Sequence, residues 1–253
     1  MRKLYQQVLT VMENAFLRLE SQVPQPQKVD WGDRFVYRYK EETIQQALIQ
    51  KLARIISGLH AVDILLINGL LQEQAALNRI LDEINEDILF LAVAITNDQI
   101  TERHKKFLTA FYAEAFSDPS NLLARSEKPN SVKRAKIRGY VNNILNKDLN
   151  PSRVSDAGEI LSSIYSGFIH ASSPQIMDMY GGYPTRFHVS GMLSTPRMAE
   201  HIDDAWNYYY RGLLSFCMVA KAFGDKSLID TLYEFINKFE SDNDTNYMSA
   251  TKV

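Results

Sequence analysis

Three stretches of this sequence set polar side chains along single helix faces. Around SSIYSGFIHASS, Glu159, Ser163, Ser166 and His170 are spaced four, three and four apart. A helix aligns such residues in one stripe. Ile160, Ile164, Phe168 and Ala171 form an apolar stripe beside it. The serines and Gly167 leave room for another helix or a ligand to approach, and Pro174 stops or bends the helix just beyond His170. A histidine beside the free backbone groups of a helix end is well displayed for proton transfer. The same residues equally suit a histidine that hydrogen-bonds a neighbouring helix, with small residues serving close packing. Both readings stay open.

The second stretch is PRMAEHIDDAWNYYYRGLLSF, where His201, Asp204, Tyr208, Arg211 and Ser215 repeat the three-four pattern. An aspartate three residues after a histidine can orient the imidazole and raise its basicity. Arg211 can grip a phosphate or carboxylate with two parallel hydrogen bonds. The alternative is a solvated face with helix-local ion pairs, worth about 0.2–0.5 kcal/mol each. The third stretch is QEQAALNRILDEINEDILF. Arg79 and Glu83, Asn78 and Asp82, and Glu83 and Asp87 are each four apart. A di-metal bundle needs Glu-x-x-His on paired helices. No Glu precedes a His by three here, so no metal site is expected. Arg79 with Glu83 reads as an ion pair between helices that fixes register, or as a solvated face.

Basic residues gather at RHKK (103–106) and KRAKIR (133–138), with Lys128 and Lys147 nearby. These offer phosphate contacts or form solvated helix faces. Few aromatics interleave them, which argues against a stacking platform for single strands. GGYPTRFHVSGMLSTP (181–196) carries Arg186 and His188 and joins the two histidine-bearing helices, either as a lid over His170 or hanging away from it. Walker A, GxGxxG, HExxH, GxSxG and Cys/His metal patterns are all absent from the sequence. No cofactor is indicated.

The elements that position these residues are helical, because apolar residues recur at spacings of three and four. Leu4, Val8, Val11, Ala15 and Leu19 mark a first helix over about 2–21. VPQPQKVDWGDRFVYRYKEET then breaks it. Its aromatics predict a connector packed on the body, and RFVYRY alternates like a short strand. Helices over about 41–68 and 70–96 form an antiparallel hairpin, with Asn68-Gly69 as the cap between them. A fourth helix over about 99–116, a loop at 117–130 and a short basic helix follow. Asn150-Pro151 opens the His170 helix, Thr195-Pro196 opens a long helix to about Phe223, and Ser227 caps a last one. The expected fold is all-α: a bundle of about seven or eight helices built on long antiparallel hairpins, with an irregular loop or small hairpin near 181–196. A single domain over 1–241 and a mobile tail over 242–253 complete the expectation.

Composition narrows the class. The chain has 253 residues, 45% hydrophobic and 23% charged, with a formal net charge of -2. No global field advertises nucleic acid or an anionic membrane. The single cysteine, Cys217, lies in an apolar helical segment, so it reads as a small buried hydrophobe without a disulfide. MRKLYQQVLTVMENAF does not read as a signal peptide, and no run is long and apolar enough to span a membrane. The expected setting is the cytoplasm. FYAEAF and AWNYYYRGLLSF carry aromatic surface that suits a dimer interface.

LNRILDEINEDILFLA, with Arg79 and Glu83, and IYSGFIHASS, with the pattern Tyr-Ser-x-x-x-His-x-Ser, together resemble bacterial all-α proteins related to the HEPN superfamily of helical bundles. The resemblance implies His170 as the family's histidine, a dimer, RNA, nucleotide or protein partners, and a defence or toxin–antitoxin setting. Many such proteins are metal-independent ribonucleases, and others are inactive and bind partners or nucleotides. Their nuclease motif places four to six residues between an arginine and the histidine. No residue from Ile164 to Ser166 is arginine, and only three residues separate Arg197 from His201. The leading expectation is therefore a helical binding or regulatory module with a polar pocket. Its binding residues would be Ser163, Ser166, Asp204, Tyr208, Arg79, Glu83, Arg186 and His188. The alternative is a metal-independent ribonuclease or other phosphoryl-transfer enzyme. It would use His170 and His201 as acid and base and Arg211 at the phosphate, or Arg79 as the cation.

Overall fold

The computed structural model describes residues 2–114, 116, 126, 129–145, 165–193 and 195–242. The chain runs α1 (Arg2–Glu20), β1 (Gln27–Trp31), β2 (Arg34–Arg38), α2 (Ile44–Ile67), α3 (Leu71–Thr96), α4 (Glu102–Tyr112) and α5 (Arg134–Leu145). After α6, described over 165–169, come α7 (Ser173–Met177), β3 (Tyr180–Gly181), β4 (Arg186–Phe187), α8 (Arg197–Ala222) and α9 (Lys226–Ser241). The expected all-α bundle is what forms, with strands confined to two short hairpins among the described residues. The Asn150-Pro151 start, Ser163, Glu159, most of the 117–130 loop and the tail from 243 lie outside the described residues.

α2 starts where Thr43 and Gln46 exchange capping bonds: the Gln46 N–H donates to Thr43 Oγ1 and the Thr43 N–H to Gln46 Oε1. It ends at a turn that needs glycine. Gly69 sits at φ +66°. The Leu70 N–H reaches back to the Leu65 carbonyl and the Gly69 N–H to the Leu66 carbonyl, both at 2.9 Å. That pair of bonds closes a Schellman cap and sends α3 back along α2. Leu48, Leu52, Ile55 and Leu59 of α2 meet Leu81, Ile88 and Leu91 of α3 in one apolar core. Leu9, Met12 and Leu19 of α1, Tyr209, Leu213 and Phe216 of α8, and Phe239 of α9 complete it.

α8 lies on α3 in the same direction. His201 pairs with Gln74, Tyr208 with Asp82 and Ser215 with Asn85, at sequence separations of 127, 126 and 130. A near-constant separation along both helices means that they run parallel. α4 and α5 dock on the far half of α3 through Phe90, whose ring stacks on His104 at 4.2 Å and meets the edge of Tyr140 at 5.2 Å.

Two sequence expectations shift. The connector after α1 is a hairpin, not a lone strand, turning at Gly32-Asp33 with positive φ at Gly32. Its Phe35 and Tyr37 stay about half exposed, while Arg38 ties it to Glu114. The cap of α9 is Asp225, not Ser227: its carboxylate accepts the Leu228 N–H at 3.1 Å. The same carboxylate holds Arg18 at 2.5 and 2.6 Å, so one residue both starts α9 and ties it to α1.

The α2–α3 turn also carries the end of the loop that precedes α8. The Met192 N–H donates to the Gly69 carbonyl at 2.7 Å, and Met192 is buried. A Cβ at Gly69 would lie 2.7 Å from the backbone nitrogens of Met192 and Leu193. Gly69→Ala therefore combines a left-handed strain with a backbone collision. Urea unfolding should show a loss of about 1–3 kcal/mol.

Candidate functional site

Most of the polar stripe of α8 is turned from solvent, and of its five residues Arg211 alone is exposed. The stripe lies along the buried polar stripe of α3. His201 Nδ1 sits 2.5 Å from Gln74 Oε1, an arrangement that puts the imidazole proton on Nδ1. Burial holds the His201 pKa below its ordinary value, against the opposing pull of Asp204. The Tyr208 hydroxyl donates to Asp82 Oδ2 at 2.9 Å, and Arg211 grips Asp82 Oδ1 while its guanidinium lies over the Tyr208 ring. Burial raises the pKa of Asp82, with Arg211 pulling the other way. It also raises that of Tyr208, and here the Asp82 charge adds to the shift. Ser215 donates to Asn85 at 2.7 Å in the interior.

α6 adds a third wall. The Tyr165 hydroxyl donates to Asp204 Oδ2 at 2.9 Å, and Phe168 meets the His201 ring edge-on. Tyr165, Asp204, Tyr208, Asp82, Arg211, His201 and Gln74 thus line one polar seam between three helices, paired within it by hydrogen bonds. Its phenols are held protonated and its imidazole neutral, each by burial first. Such groups orient one another and are poor bases or nucleophiles. Asn78 is fully buried in the same stripe, and neither of its amide atoms has a hydrogen-bond partner.

The acids of DEINED reach beyond this seam. Asp87, 5% exposed, receives Lys51 of α2 at 2.8 Å and a two-pronged grip from Arg134 of α5 at 2.5 and 3.1 Å. Arg138 of α5 pairs with Glu86 at 2.6 Å. Arg79 and Glu83 pair within α3 at 2.7 Å, not between helices as one sequence reading had it. Glu83 also faces Arg134 at 3.9 Å. Among the described residues no group of three or more His, Cys, Asp or Glu side chains is placed to hold a metal ion. Cys217 is buried, and burial pushes its thiol up to about 12.

His170 stands apart from the seam. It is the first residue after α6, exposed, and takes part in a Schellman cap with Ala171 at φ +51° and the Ser172 N–H on the Gly167 carbonyl at 2.9 Å. Ser166 accepts the His170 N–H through its backbone carbonyl. No hydrogen bond or ion pair joins the His170 side chain to another described residue. The room at Gly167 is taken by the Gln175 amide, which a Cβ would meet at 2.4 Å. The small residues let α7 fold back on α6. Arg186 is exposed on β4, and His188 Nε2 bonds the Gly181 carbonyl at 2.8 Å, closing the hairpin. Neither residue joins the seam.

Sequence reasoning missed the outer face of this segment. Among the described residues, eight of the sixteen exposed large hydrophobic ones lie between Ile169 and Leu193. Tyr183 is fully exposed, Val189 74% and Leu193 56%. The arm is nonetheless rooted. Gln72 of α3 donates to the Gln175 carbonyl at 2.8 Å, Arg197 holds Asp178 at 2.8 Å, and Met192 is tied to Gly69. The available signal was a dense set of apolar residues in a Gly- and Pro-rich stretch without helical period. No family model matches the chain, and neither a curated protein nor a solved structure matches it.

Removing one partner of a buried ion pair strands the other charge. Asp87→Ala should cost about 3–5 kcal/mol in urea unfolding, and Lys51→Met with Asp87→Leu should cost less than Asp87→Leu alone. A second outcome concerns pH. Burial lowers the pKa of both His104 and His201 from the ordinary 6.5. The unfolded chain therefore takes up protons first as pH falls, so stability is full above about 6.5 and declines below it. His104 Nδ1 accepts the Thr101 N–H at 3.0 Å as part of the α4 cap. Glutamine can keep that bond. His104→Gln with His201→Gln should flatten the urea midpoint between about pH 6.5 and 5.5.

Proposed function

We propose that this protein is a helical binding module that works through its surface, with the apolar arm at 169–193 as the recognition face and a second copy of the chain as its occupant. The observation that carries this reading is the concentration of exposed aromatic and aliphatic side chains on a segment anchored at three points. Concentrated exposed apolar side chains mark interaction surfaces. The last turn of α2, beside the arm's foot at Gly69, adds exposed Ile64 and Ile67. A fixed patch loses little conformational freedom on docking, which favours association. The HEPN-like resemblance accommodates a helical, dimeric binding protein and supplies no independent support for it.

The ribonuclease reading rests on the exposed, unpaired His170. It needs a cation within reach of the same phosphate. Arg211 is held by Asp82 and Arg79 by Glu83, both on α3, and the His170 side chain bonds to neither arginine.

Light scattering after gel filtration tests the surface reading. The protein should be a dimer at about 100 μM, within the range of ordinary interfaces. Tyr183→Ser with Val189→Ser should weaken dimerisation by at least about tenfold, one 1.4 kcal/mol step, while leaving the melting temperature unchanged. A wild-type monomer at that concentration sinks the self-docking reading. RNA cleavage that His170→Ala abolishes at unchanged melting temperature would establish the enzyme in its place.

A further inference from the structure

The two basic stretches of the sequence, thirty residues apart, meet on one surface. Arg103 and Lys106 of α4 and Lys133 and Lys136 at the start of α5 line a groove of about 370 Å³, together with Asn130, Ser131 and one carboxylate, Glu102. Pockets that take small ligands run from roughly 300 to 1,000 Å³. Helical geometry sorts the cations. On α5, Arg134 and Arg138 are four apart, turn inward and pair with Asp87 and Glu86. Lys133 and Lys136 are three apart and turn the other way. On α4, buried His104 and Phe107 face Phe90, while Arg103 and Lys106 face the groove. Glu102 is engaged by Lys105 at 2.6 Å. None of the four groove cations has a carboxylate partner among the described residues, although basic neighbours on both helices do.

This arrangement works against the stability of the protein alone. Like charges three apart on a helix repel. The first turn of α5 contains no acid, and its opening position is Lys133, whose carbonyl accepts the Lys136 and Ile137 N–H groups. A lysine side chain has no acceptor for the free N–H groups of a helix start. Both helices also point their N-terminal, positive ends toward this region, where cations are disfavoured and anions favoured. An anion with several oxygens relieves all three conflicts together. The groove has no aromatic lining residue, so recognition falls on phosphate and not on a stacked base.

We propose that the α4–α5 groove binds the phosphates of a nucleotide, either free or within a single-stranded nucleic acid. The site uses none of the residues of the arm, so it stands or falls apart from the dimer reading. The test is fluorescence anisotropy with two probes, labelled ATP and a labelled oligouridylate of about 12 nucleotides, across about 50–200 mM salt. Binding of ATP alone assigns the free nucleotide, and binding of the oligonucleotide with the steeper salt dependence assigns nucleic acid. Four phosphate contacts to a single strand predict a log–log salt slope near about -3. Lys106→Glu with Lys136→Glu should weaken binding by at least about tenfold and flatten that slope. Lys3→Glu with Lys226→Glu, an equal charge change at exposed positions elsewhere, should leave it unchanged. Lys133→Ser supplies a capping acceptor and removes a cation, so it should raise the melting temperature while weakening binding. Failure of both probes to bind at low salt overturns the proposal. So does binding that the groove reversal leaves untouched while circular dichroism shows a folded protein.

Discussion

Asp87 is the constraint around which the bundle is arranged. One nearly buried carboxylate receives Lys51 from α2 and Arg134 from α5, and it sits on α3, the helix that also meets α8. An unpaired charge at that depth is prohibitive, so each neighbouring helix must present its cation at one height. Apolar packing tolerates sliding by part of a turn, whereas a two-pronged Arg–Asp contact does not. Asp82 repeats the device one and a half turns earlier on the side of α8, through Tyr208 and Arg211. Lys51 also lies over the Phe111 ring at 4.6 Å, which brings α4 into the same arrangement. The polar groups of α3 thus set the register of α2, α5 and α8, and the leucines and aromatics around them supply the hydrophobic stabilisation.

The titratable groups of the seam are already engaged with one another, which leaves them little for a substrate. The phenols of Tyr165 and Tyr208 already donate to carboxylates, and the imidazole of His201 is already oriented by an amide. The surface presents the opposite picture. The arm exposes apolar side chains on a rooted scaffold, and the α4–α5 groove exposes cations without counter-charges. Both are places where the structure spends stability without an internal return. One is apolar and one is basic, so they suit different partners. They lie on different elements.

How much of this was legible beforehand depends on range. The α2–α3 hairpin was readable because Leu and Ile at spacings of three and four, followed by Asn68-Gly69, state both the helices and the turn. The same local rule selected His201, Asp204, Tyr208 and Arg211 as one stripe, and they do lie on one face. What that face touches was not legible, because a polar stripe looks identical whether it meets water or another polar stripe. KRAKIR shows the limit most clearly. It reads as one basic cluster, yet alternate members turn inward to α3 and outward to the groove. The cap of α9 was misplaced by two residues because Ser227 and Asp225 are both good N-caps, and Arg18, over two hundred residues away, favours the aspartate. The room left by the small neighbours of His170 is filled locally, by Gln175, only eight residues from Gly167.

The parallel course of α3 and α8 bears on the making of the chain. Antiparallel neighbours can pair as soon as the second helix follows the first, but these partners are 126–130 residues apart. At ribosomal speeds of about 5–20 residues per second, α3 waits roughly 6–25 s for its partner. Through that interval the α2–α3 hairpin holds Asn78, Asp82 and Asn85 beside an apolar face that α8 has yet to cover. The nascent amino-terminal half is therefore the part most in need of a chaperone, and the carboxy-terminal helices act as its late-arriving cover.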